Sequence, residues 1–221
     1  MTNQIKNKIR LLIISGGTSF ENTIFKVFGG IEEIEWTHID SDEKAFDDDL
    51  REKYDVIIMY NLNQDPDETI KKNLKKFTEA SKGLIVLHHA IATYNSWNWW
   101  YEEVVGGRYL MQPDGELPSS NYMDHQEIIG IPVGKHPITS SLNGLPVHIY
   151  DETYKNMWLS PRIKVVLQSN LFTSDKPLIW ISPYEKSRVV VIIPGHGRGA
   201  HYNLGFRSLL KDAILWAGYR T

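Results

Sequence analysis

The chain has 221 residues, a formal net charge of −3 and no cysteine. These values exclude disulfides, thiolate metal ligands and a cysteine nucleophile, and the lack of excess basic charge argues against a nucleic-acid partner. No apolar run approaches the ~20 residues that span a bilayer, and the polar N-terminal segment MTNQIKNKIR lacks a hydrophobic signal core. We therefore predict a cytoplasmic protein without a membrane partner.

Apolar runs alternate with helix-forming segments through the first 90 residues. Strands are predicted at Ile9–Ile14, Ile34–Ile39, Asp55–Tyr60 and Gly83–Leu87. Thr18 and Glu21 have the spacing of a capping box, which predicts a helix from Thr18 to about Phe28, and a second helix is expected over residues 66–81. This order predicts an α/β fold, namely a flavodoxin-like, doubly wound, mostly parallel sheet with helices on both faces.

The second half of the chain has a different composition. The aromatic segment Trp97–Val105 is predicted to be helical, and a stretch rich in Pro and Gly follows it. We expect residues 106–160 to be an inserted loop and β segment over the end of the sheet, because they contain too few apolar residues for their own core. The chain, residues 1–221, is thus predicted to be a single domain. The remaining predicted elements are short β pieces and a closing helix: His125–Ile131, His136–Thr139, Pro146–Ile149, Ile163–Gln168, Leu178–Ile181, Val189–Ile193 and Leu204–Ala217.

Polar side chains stand at the carboxyl ends of three predicted strands. They are Tyr60 and Asn61, His88 and His89, and His196. In a doubly wound sheet such ends meet at one crevice, where ligands bind. His88 and His196 each end an apolar strand, so we predict that they act as base, acid or ligands of a divalent metal ion. Glu152, from the inserted segment, would orient one of them or act as a second base.

Other residues are candidates for binding substrate. His89 and His125 would contact hydroxyl groups, Tyr60 and Asn61 line the predicted crevice, Arg108 would be a polar clamp, and Trp97 would offer a ring. A lone histidine is more often a hydrogen-bonded structural residue, which is how we interpret His38, His136 and His148. His201 is left open between the two roles. Spacing alone does not define a metal shell here, and no organic cofactor is predicted.

An ordered set of short motifs resembles the ThuA-like (trehalose utilisation) family. The motifs are GLIVLHHA, WYEEVVGGRY, HPIT, DETY, VVVIIPGHG and LLKDAILWA. The resemblance implies a class I glutamine amidotransferase-like fold and a sugar or sugar-derived ligand. True amidotransferases carry a catalytic cysteine at the elbow where this chain has His88 and His89, so glutamine hydrolysis through a thioester is excluded. Family members often carry a histidine in the first strand–helix loop, which here reads GGTSF.

We predict an enzyme of carbohydrate metabolism that acts on a disaccharide or keto-sugar by His/Glu acid–base or metal-assisted chemistry. The reaction class is left open between a hydrolase and a lyase or isomerase. One alternative is a non-catalytic sugar-binding or sensing protein on the same fold. Another is a scaffold subunit that forms a homo-oligomer through the aromatic segment Trp97–Tyr101.

Overall fold

The structure is a computed structural model that describes residues 8–220. Most of the N-terminal segment MTNQIKNKIR, which contributes to the prediction of a cytoplasmic protein, lies outside the described residues. The strands are β1 Ile9–Gly16, β2 Ile34–Ile39, β3 Val56–Asn61, β4 Gly83–Leu87, β5 Gly107–Arg108, β6 Asn121–Pro132, β7 Val147–Lys155, β8 Trp158–Leu159, β9 Lys164–Gln168, β10 Pro177–Ile181 and β11 Val189–Ile192. The α-helices are α1 Phe25–Phe28, α2 Asp42–Phe46, α3 Glu68–Glu79, α4 Arg198–His201 and α5 Leu204–Ala217. Short 3-10 helices cover Asn22–Ile24, His88–Ala92 and Pro137–Leu142, and a π-helix covers Trp99–Val105.

Among these residues a nine-stranded sheet has the order β2-β1-β3-β4-β11-β10-β9-β6-β7, and β5 pairs separately with β8. The first five strands of that order are parallel. They reproduce the strand order of a flavodoxin-like sheet, in which the chain winds in both directions from the first strand. The predicted fold class is therefore confirmed.

The parallel strands have apolar side chains on both faces because helices cover both faces. On β1, Leu11 and Ile13 pack in one core with α1 and α5, while Leu12 and Ile14 pack in the other with α2 and α3. Strands β3 and β4 are buried along their whole length. Each such Leu or Ile contributes about 1.5–3 kcal/mol by burial, which holds the carboxyl ends of these strands in fixed positions.

The remaining strands form an antiparallel extension of the sheet. β10 and β9 continue from β11, and β6 joins β9 where Ile131 and Pro132 pair with Gln168 and Leu167. β7 then pairs with β6 as the last strand. Part of residues 106–160, predicted to lie over the end of the sheet, thus continues the sheet itself. Inward residues such as Ile128 share the main core, so this hairpin needs no core of its own.

Two local predictions differ from the structure. The predicted helix from Thr18 is wrong over its first turn, since helical structure begins only at Asn22. Gly16 and Gly17 have positive φ, and a Cβ on Gly17 would lie 1.8 Å from the Leu62 carbonyl oxygen, so the loop is held against the chain after β3. Residues 137–139 belong to a 3-10 helix instead of a β piece, and His136 is its N-cap, with Nδ1 accepting the Ile138 amide.

The closing helix α5 matches its predicted bounds, Leu204–Ala217. Asn203 caps it by accepting the Phe206 amide at 3.0 Å. In the part of the chain that the structure describes, no helix combines the length and apolar character needed to cross a membrane.

Candidate functional site

Adjacent strands β3, β4 and β11 bring their carboxyl ends to one cavity of about 610 Å³. We call it the main cavity. Tyr60 is the penultimate residue of β3, His88 follows β4, and His196 follows β11, so side chains from three strand ends lie around one cavity. The main cavity is lined by Thr18, Ser19, Phe20, Glu21, Tyr60, Leu62, His88, His89, Ala92, Tyr109, Met111, Tyr122, Asp124, Glu152, Tyr154 and His196.

His88 lies at the sharp turn between β4 and the following 3-10 helix. Its φ is 52°, in the left-handed region that a non-glycine residue seldom adopts, and its side chain is buried. The Nδ1 atom lies 2.8 Å from the Ile193 carbonyl oxygen. Because a carbonyl can only accept, Nδ1 carries the proton and Nε2 is the atom directed to the cavity.

Three polar side chains surround Nε2 of His88. Tyr154 Oη lies at 3.0 Å, His196 Nδ1 at 3.2 Å and Glu152 Oε1 at 3.4 Å. The second oxygen of Glu152 lies 3.6 Å from His196 Nδ1. We call these four residues the His88 cluster. Its members are buried except for His196, whose side chain is 54% exposed at the cavity mouth.

Burial and charge act in opposite directions on the cluster. Burial alone would lower the pKa of His88, but the hydrogen bond to Glu152 and the charges of Asp151 and Glu152 outweigh it and raise that pKa. Burial alone would raise the pKa of Glu152, but His88 and His196 outweigh it and lower that pKa. Each group therefore stabilises the charged form of the other, as expected of a buried imidazole–carboxylate pair.

Side chains from both faces of β7 contribute to this region. Glu152 and Tyr154 are two positions apart and so project from the same face toward His88. Asp151 projects from the other face and accepts the amides of Gly195 at 2.6 Å and His196 at 3.1 Å. Gly195 has a φ of 141°. Asp151 is thus a positioning residue that holds the turn carrying His196.

A β-bulge interrupts β6 beside the cluster. Met123 pairs with Thr153 and Gln126 pairs with Asp151, so Asp124 and His125 together face the single residue Glu152. Such bulges redirect side chains and are frequent beside active sites. Here the bulge places Asp124 in the cavity wall, while His125 takes a φ of 59° and lies outside that wall.

His89 and Tyr60, both predicted to bind substrate, line the main cavity. His89 Nε2 donates to the Tyr60 carbonyl at 2.9 Å, and Tyr60 Oη donates to the Gly195 carbonyl at 2.9 Å. Burial, together with the nearby charge of His88, lowers the pKa of His89 to about 3. His89 is therefore a neutral ring whose Nδ1 can accept a hydrogen bond from a ligand.

The other predicted binding residues are not in this wall. Asn61 is buried, and its side-chain amide donates a hydrogen bond to Asp42 at 3.1 Å. Its side chain therefore points into the protein and away from the main cavity. Trp97 lies against Trp99 with Lys75 over its ring. Arg108 forms an ion pair with Asp114, and its guanidinium stacks on Tyr101 4.2 Å from the ring centre. His125 lies in a neighbouring depression.

Other cavity residues were not predicted to have a site role. Tyr154 belongs to the motif DETY, and its spacing of two from Glu152 on a strand would have placed both on one face. Asp124 and Tyr122 reach the cavity through the pairing and bulge of β6, which no local pattern indicates. Residues 18–21 line the cavity because the expected helix begins later.

The His88 cluster has the chemistry of a metal site. One ligand atom from each of His88, Glu152 and His196 lies within 4.8 Å of the other two. Two imidazoles and a carboxylate are a common ligand set for catalytic zinc, with further positions for water or substrate. The same groups can also move protons without a metal, since Nε2 of His88, the carboxylate and the Tyr154 hydroxyl are in contact.

The chain matches the model of the trehalose utilisation family, ThuA, over residues 10–217. A ThuA-like protein from Parabacteroides merdae superposes with a TM-score of 0.81 at 16% identity, covering 96% of this chain and 90% of that one. A ThuA-like protein from Bacteroides uniformis gives 0.72 at 18% identity, covering 98% and 94%. PurLQS from Thermotoga maritima gives 0.64 at 13% identity, covering 95% and 99%, which supports the amidotransferase-like fold. The comparison with curated proteins gave no match. The family match spans nearly the whole chain, and this protein therefore belongs to the trehalose utilisation family.

Proposed function

We propose that this protein is an enzyme of carbohydrate metabolism that acts on a sugar or keto-sugar in the main cavity, with a divalent metal ion held by His88, Glu152 and His196. The observation that carries the proposal is the convergence of these three side chains, from three separate segments, at one open cavity. The family's link to trehalose utilisation supports a sugar as the ligand.

The cavity wall suits a sugar. Its rings come from Phe20, Tyr60, Tyr109, Tyr122 and Tyr154. Aromatic faces pack against the C–H groups of a sugar ring, while Asp124, Glu152 and the neutral His89 offer hydrogen bonds to its hydroxyl groups. The volume of about 610 Å³ lies within the usual range of small-molecule sites, roughly 300–1,000 Å³.

The ligand spacing supports the metal. A tetrahedral ion with ligands at about 2.0–2.1 Å separates those ligands by roughly 3.3–3.4 Å. His88 Nε2 lies 3.2 Å from His196 Nδ1 and 3.4 Å from Glu152 Oε1, while the other carboxylate oxygen, Oε2, lies 3.6 Å from His196 Nδ1. With one ligand atom from each residue, the three atoms lie within 4.8 Å of one another. His88 also donates its other ring N–H to a backbone carbonyl, as metal-ligating histidines do.

Within this proposal the metal, Tyr154 and His89 have separate tasks. The metal, when bound, would polarise a substrate oxygen or lower the pKa of a bound water. Burial, reinforced by the charge of Glu152, raises the pKa of Tyr154 and keeps its hydroxyl protonated. Tyr154 therefore donates a hydrogen bond to the substrate, and His89 accepts one from a substrate hydroxyl group.

Metal analysis and turnover together test the proposal. Wild type and the variants His88→Ala, His196→Ala and Glu152→Gln would be loaded with zinc, dialysed and analysed for metal, with His148→Ala as the matched control. His148 is exposed and pairs with Glu127 away from the cluster. We expect about one ion per chain in wild type and the control, and strongly reduced metal in the other three.

Turnover would be measured with trehalose, maltose and sucrose and with the keto derivative of each. A product that forms in wild type and not in Glu152→Gln supports an enzyme. Sugar binding without any product would identify a sugar-binding or sensing protein instead. Equal metal content in all variants would remove the metal from the proposal and leave acid–base chemistry by the same residues.

A further inference from the structure

His201 is a buried histidine that does not line the main cavity. It is the last residue of α4, and its side chain is fully buried. Both ring nitrogens have partners, since Nε2 lies 3.0 Å from the Gly195 carbonyl oxygen and Nδ1 lies 2.8 Å from Thr23 Oγ1. His201 therefore connects the turn that carries His196 to the 3-10 helix Asn22–Ile24.

The Gly195 carbonyl and the His196 amide belong to one planar peptide group. At one edge of this group Asp151 accepts the amide at 3.1 Å. At the other edge Tyr60 Oη and His201 Nε2 donate to the carbonyl oxygen at 2.9 and 3.0 Å. Hydrogen bonds at both edges hold the plane against rotation, and this plane sets the direction in which the His196 side chain leaves the backbone.

The partners of His201 define which ring nitrogen carries the proton. Burial lowers the pKa of His201, so the ring is neutral at pH 7. Because the Gly195 carbonyl can only accept, the proton is on Nε2, and Nδ1 accepts from the Thr23 hydroxyl.

Thr23 has a second possible acceptor, which does not compete on equal terms. Thr23 Oγ1 also lies 3.2 Å from Glu21 Oε2, but Glu21 is exposed and has another partner in Arg198. The buried Nδ1 atom of His201 has no other hydrogen-bond partner among the described residues, so leaving it unpaired would cost more. The single Thr23 proton is therefore directed to His201.

The backbone of His201 is held independently of its ring. Its amide donates to the Gly197 carbonyl at 2.9 Å, and its carbonyl accepts from Arg207 Nε at 2.8 Å. Arg207 also donates to the Lys26 carbonyl at 2.7 Å, which joins α5 to α1. A substitution of the imidazole alone leaves these backbone contacts in place.

We propose that His201 is a positioning residue for His196. Held by Thr23, its ring fixes the peptide that precedes His196 and directs that imidazole toward the rest of the His88 cluster. His196 depends on such support because it is the exposed member of the cluster and is not held by burial. This inference rests on the proposed function for the role of His196, whereas the contacts that carry it involve no metal.

Amide hydrogen exchange, measured by NMR without added metal, tests the contact. His201→Phe keeps a ring and removes both hydrogen bonds, so the Gly195 and His196 amides should exchange at least about tenfold faster, relative to the amides of β3, than in wild type. His201→Gln retains a side-chain donor and should recover part of the protection. Phe206→Leu is the matched control, because its buried ring lies 6.4 Å from that of His201 and has no hydrogen bond to lose, so the two amides should be unaffected.

The zinc affinity of the same proteins measures the consequence for the site. We expect a fall of about 10–100-fold in His201→Phe, the range for losing a partner that orients a ligand. His201→Gln should recover part of this affinity, and Phe206→Leu should keep the wild-type value. Thr23→Val, which leaves the imidazole in place without its donor, should give a smaller fall than His201→Phe.

The outcomes separate the two proposals. Wild-type exchange rates in His201→Phe, or equal losses in His201→Phe and Phe206→Leu, would overturn the positioning role and leave the proposed function standing. Faster exchange with unchanged zinc affinity would also overturn it, because His196 would then keep its place without His201. Faster exchange in His201→Phe, with no zinc bound by wild type, would support the positioning role and remove the metal from the proposed function.

Discussion

The two sides of the main cavity are built in different ways. One side consists of turns that follow the parallel strands β3, β4 and β11, whose positions are fixed by cores on both faces of the sheet. The other side is the hairpin of β6 and β7 at the antiparallel end of the sheet, which supplies Asp124, Glu152 and Tyr154. The strand-end side carries imidazoles and the hairpin side carries acids and a phenol, so neither side is a site without the other.

The largest expected effect comes from the strand-end side. His88→Ala removes the atom on which Tyr154, His196 and Glu152 converge and leaves the carboxylate buried without its partner. We expect loss of bound metal and a fall in turnover of at least about 10³-fold, because both metal ligation and proton transfer depend on this ring. Metal analysis and steady-state kinetics measure this, with a circular dichroism spectrum to verify the fold.

The next effect tests whether the hairpin positions the strand-end side. Asp151→Ala removes the acceptor for the amides of Gly195 and His196 without touching the cavity. We expect metal affinity to fall about 10–100-fold, the range for losing a partner that orients a ligand. Asp151→Asn keeps one acceptor oxygen and should recover part of the affinity. Unchanged metal affinity in Asp151→Ala would show that the turn carrying His196 keeps its conformation without the hydrogen bonds to Asp151.

A smaller effect separates chemistry from metal binding on the hairpin side. Tyr154→Phe keeps the ring beside His88, with centres 5.1 Å apart in wild type, and removes only the hydroxyl. We expect kcat to fall about 10–100-fold while metal content stays at the wild-type level. Tyr109→Phe is the comparison variant, because the Tyr109 ring lies in the same wall with its centre 5.1 Å from that of Tyr154, while its hydroxyl makes no hydrogen bond to the cluster among the described residues. Equal losses in the two variants would argue against a donor role for Tyr154.

The smallest effect concerns the free energy of unfolding, through an ion pair that joins β1 to the start of β3 away from the site. Arg10 on β1 bonds to Asp55 just before β3, with Nη2 2.8 Å from Oδ1 and Nε 3.2 Å from Oδ2. Burial alone would raise the pKa of Asp55, but Arg10 outweighs it and holds that pKa at about 2, below its usual 3.8. A carboxyl whose pKa is lowered by folding stabilises the folded state above its unfolded pKa, and this stabilisation is lost as the pH falls toward 2.

Asp55→Asn should therefore lower the free energy of unfolding at pH 7 by about 1–2 kcal/mol, and the difference from wild type should shrink below pH 4. Urea denaturation at pH 7, 4 and 3 measures it. A difference that stays constant over this range would mean that the charge of Asp55 is not what stabilises the contact.

Sequence patterns predict the two sides unequally, for physical reasons. Continuous apolar runs such as Leu84–Leu87 specify buried parallel strands, and polar residues at their ends must then meet, which is how His88 and His196 were found. The register of β6 on β7 depends instead on pairing between residues about 30 positions apart and on a bulge at Asp124 and His125. No local periodicity encodes that pairing, so the sequence does not place Asp124 in the cavity. The spacing of Tyr154 from Glu152 does indicate that the two share a face of one strand, but not that this face meets His88.

The same reasoning explains the candidates that do not line the main cavity. Asn61 follows Tyr60 at the end of β3, but alternate residues of a strand point to opposite faces, so only one of the two can face the cavity. Trp97 and Arg108 have side chains suited to binding a sugar, but neither lies at the carboxyl end of one of the parallel strands. We predict that His125 binds substrate hydroxyl groups, and this side chain lies in the depression beside the main cavity.

The most direct test of the central claim is a zinc titration of the metal-free protein, comparing wild type with Glu152→Ala. If the imidazoles of the strand ends and the carboxylate of the hairpin form one centre, wild type binds one ion per chain and Glu152→Ala binds it at least 100-fold more weakly. Equal zinc affinity in the two proteins, or no stoichiometric site in wild type, would contradict the account.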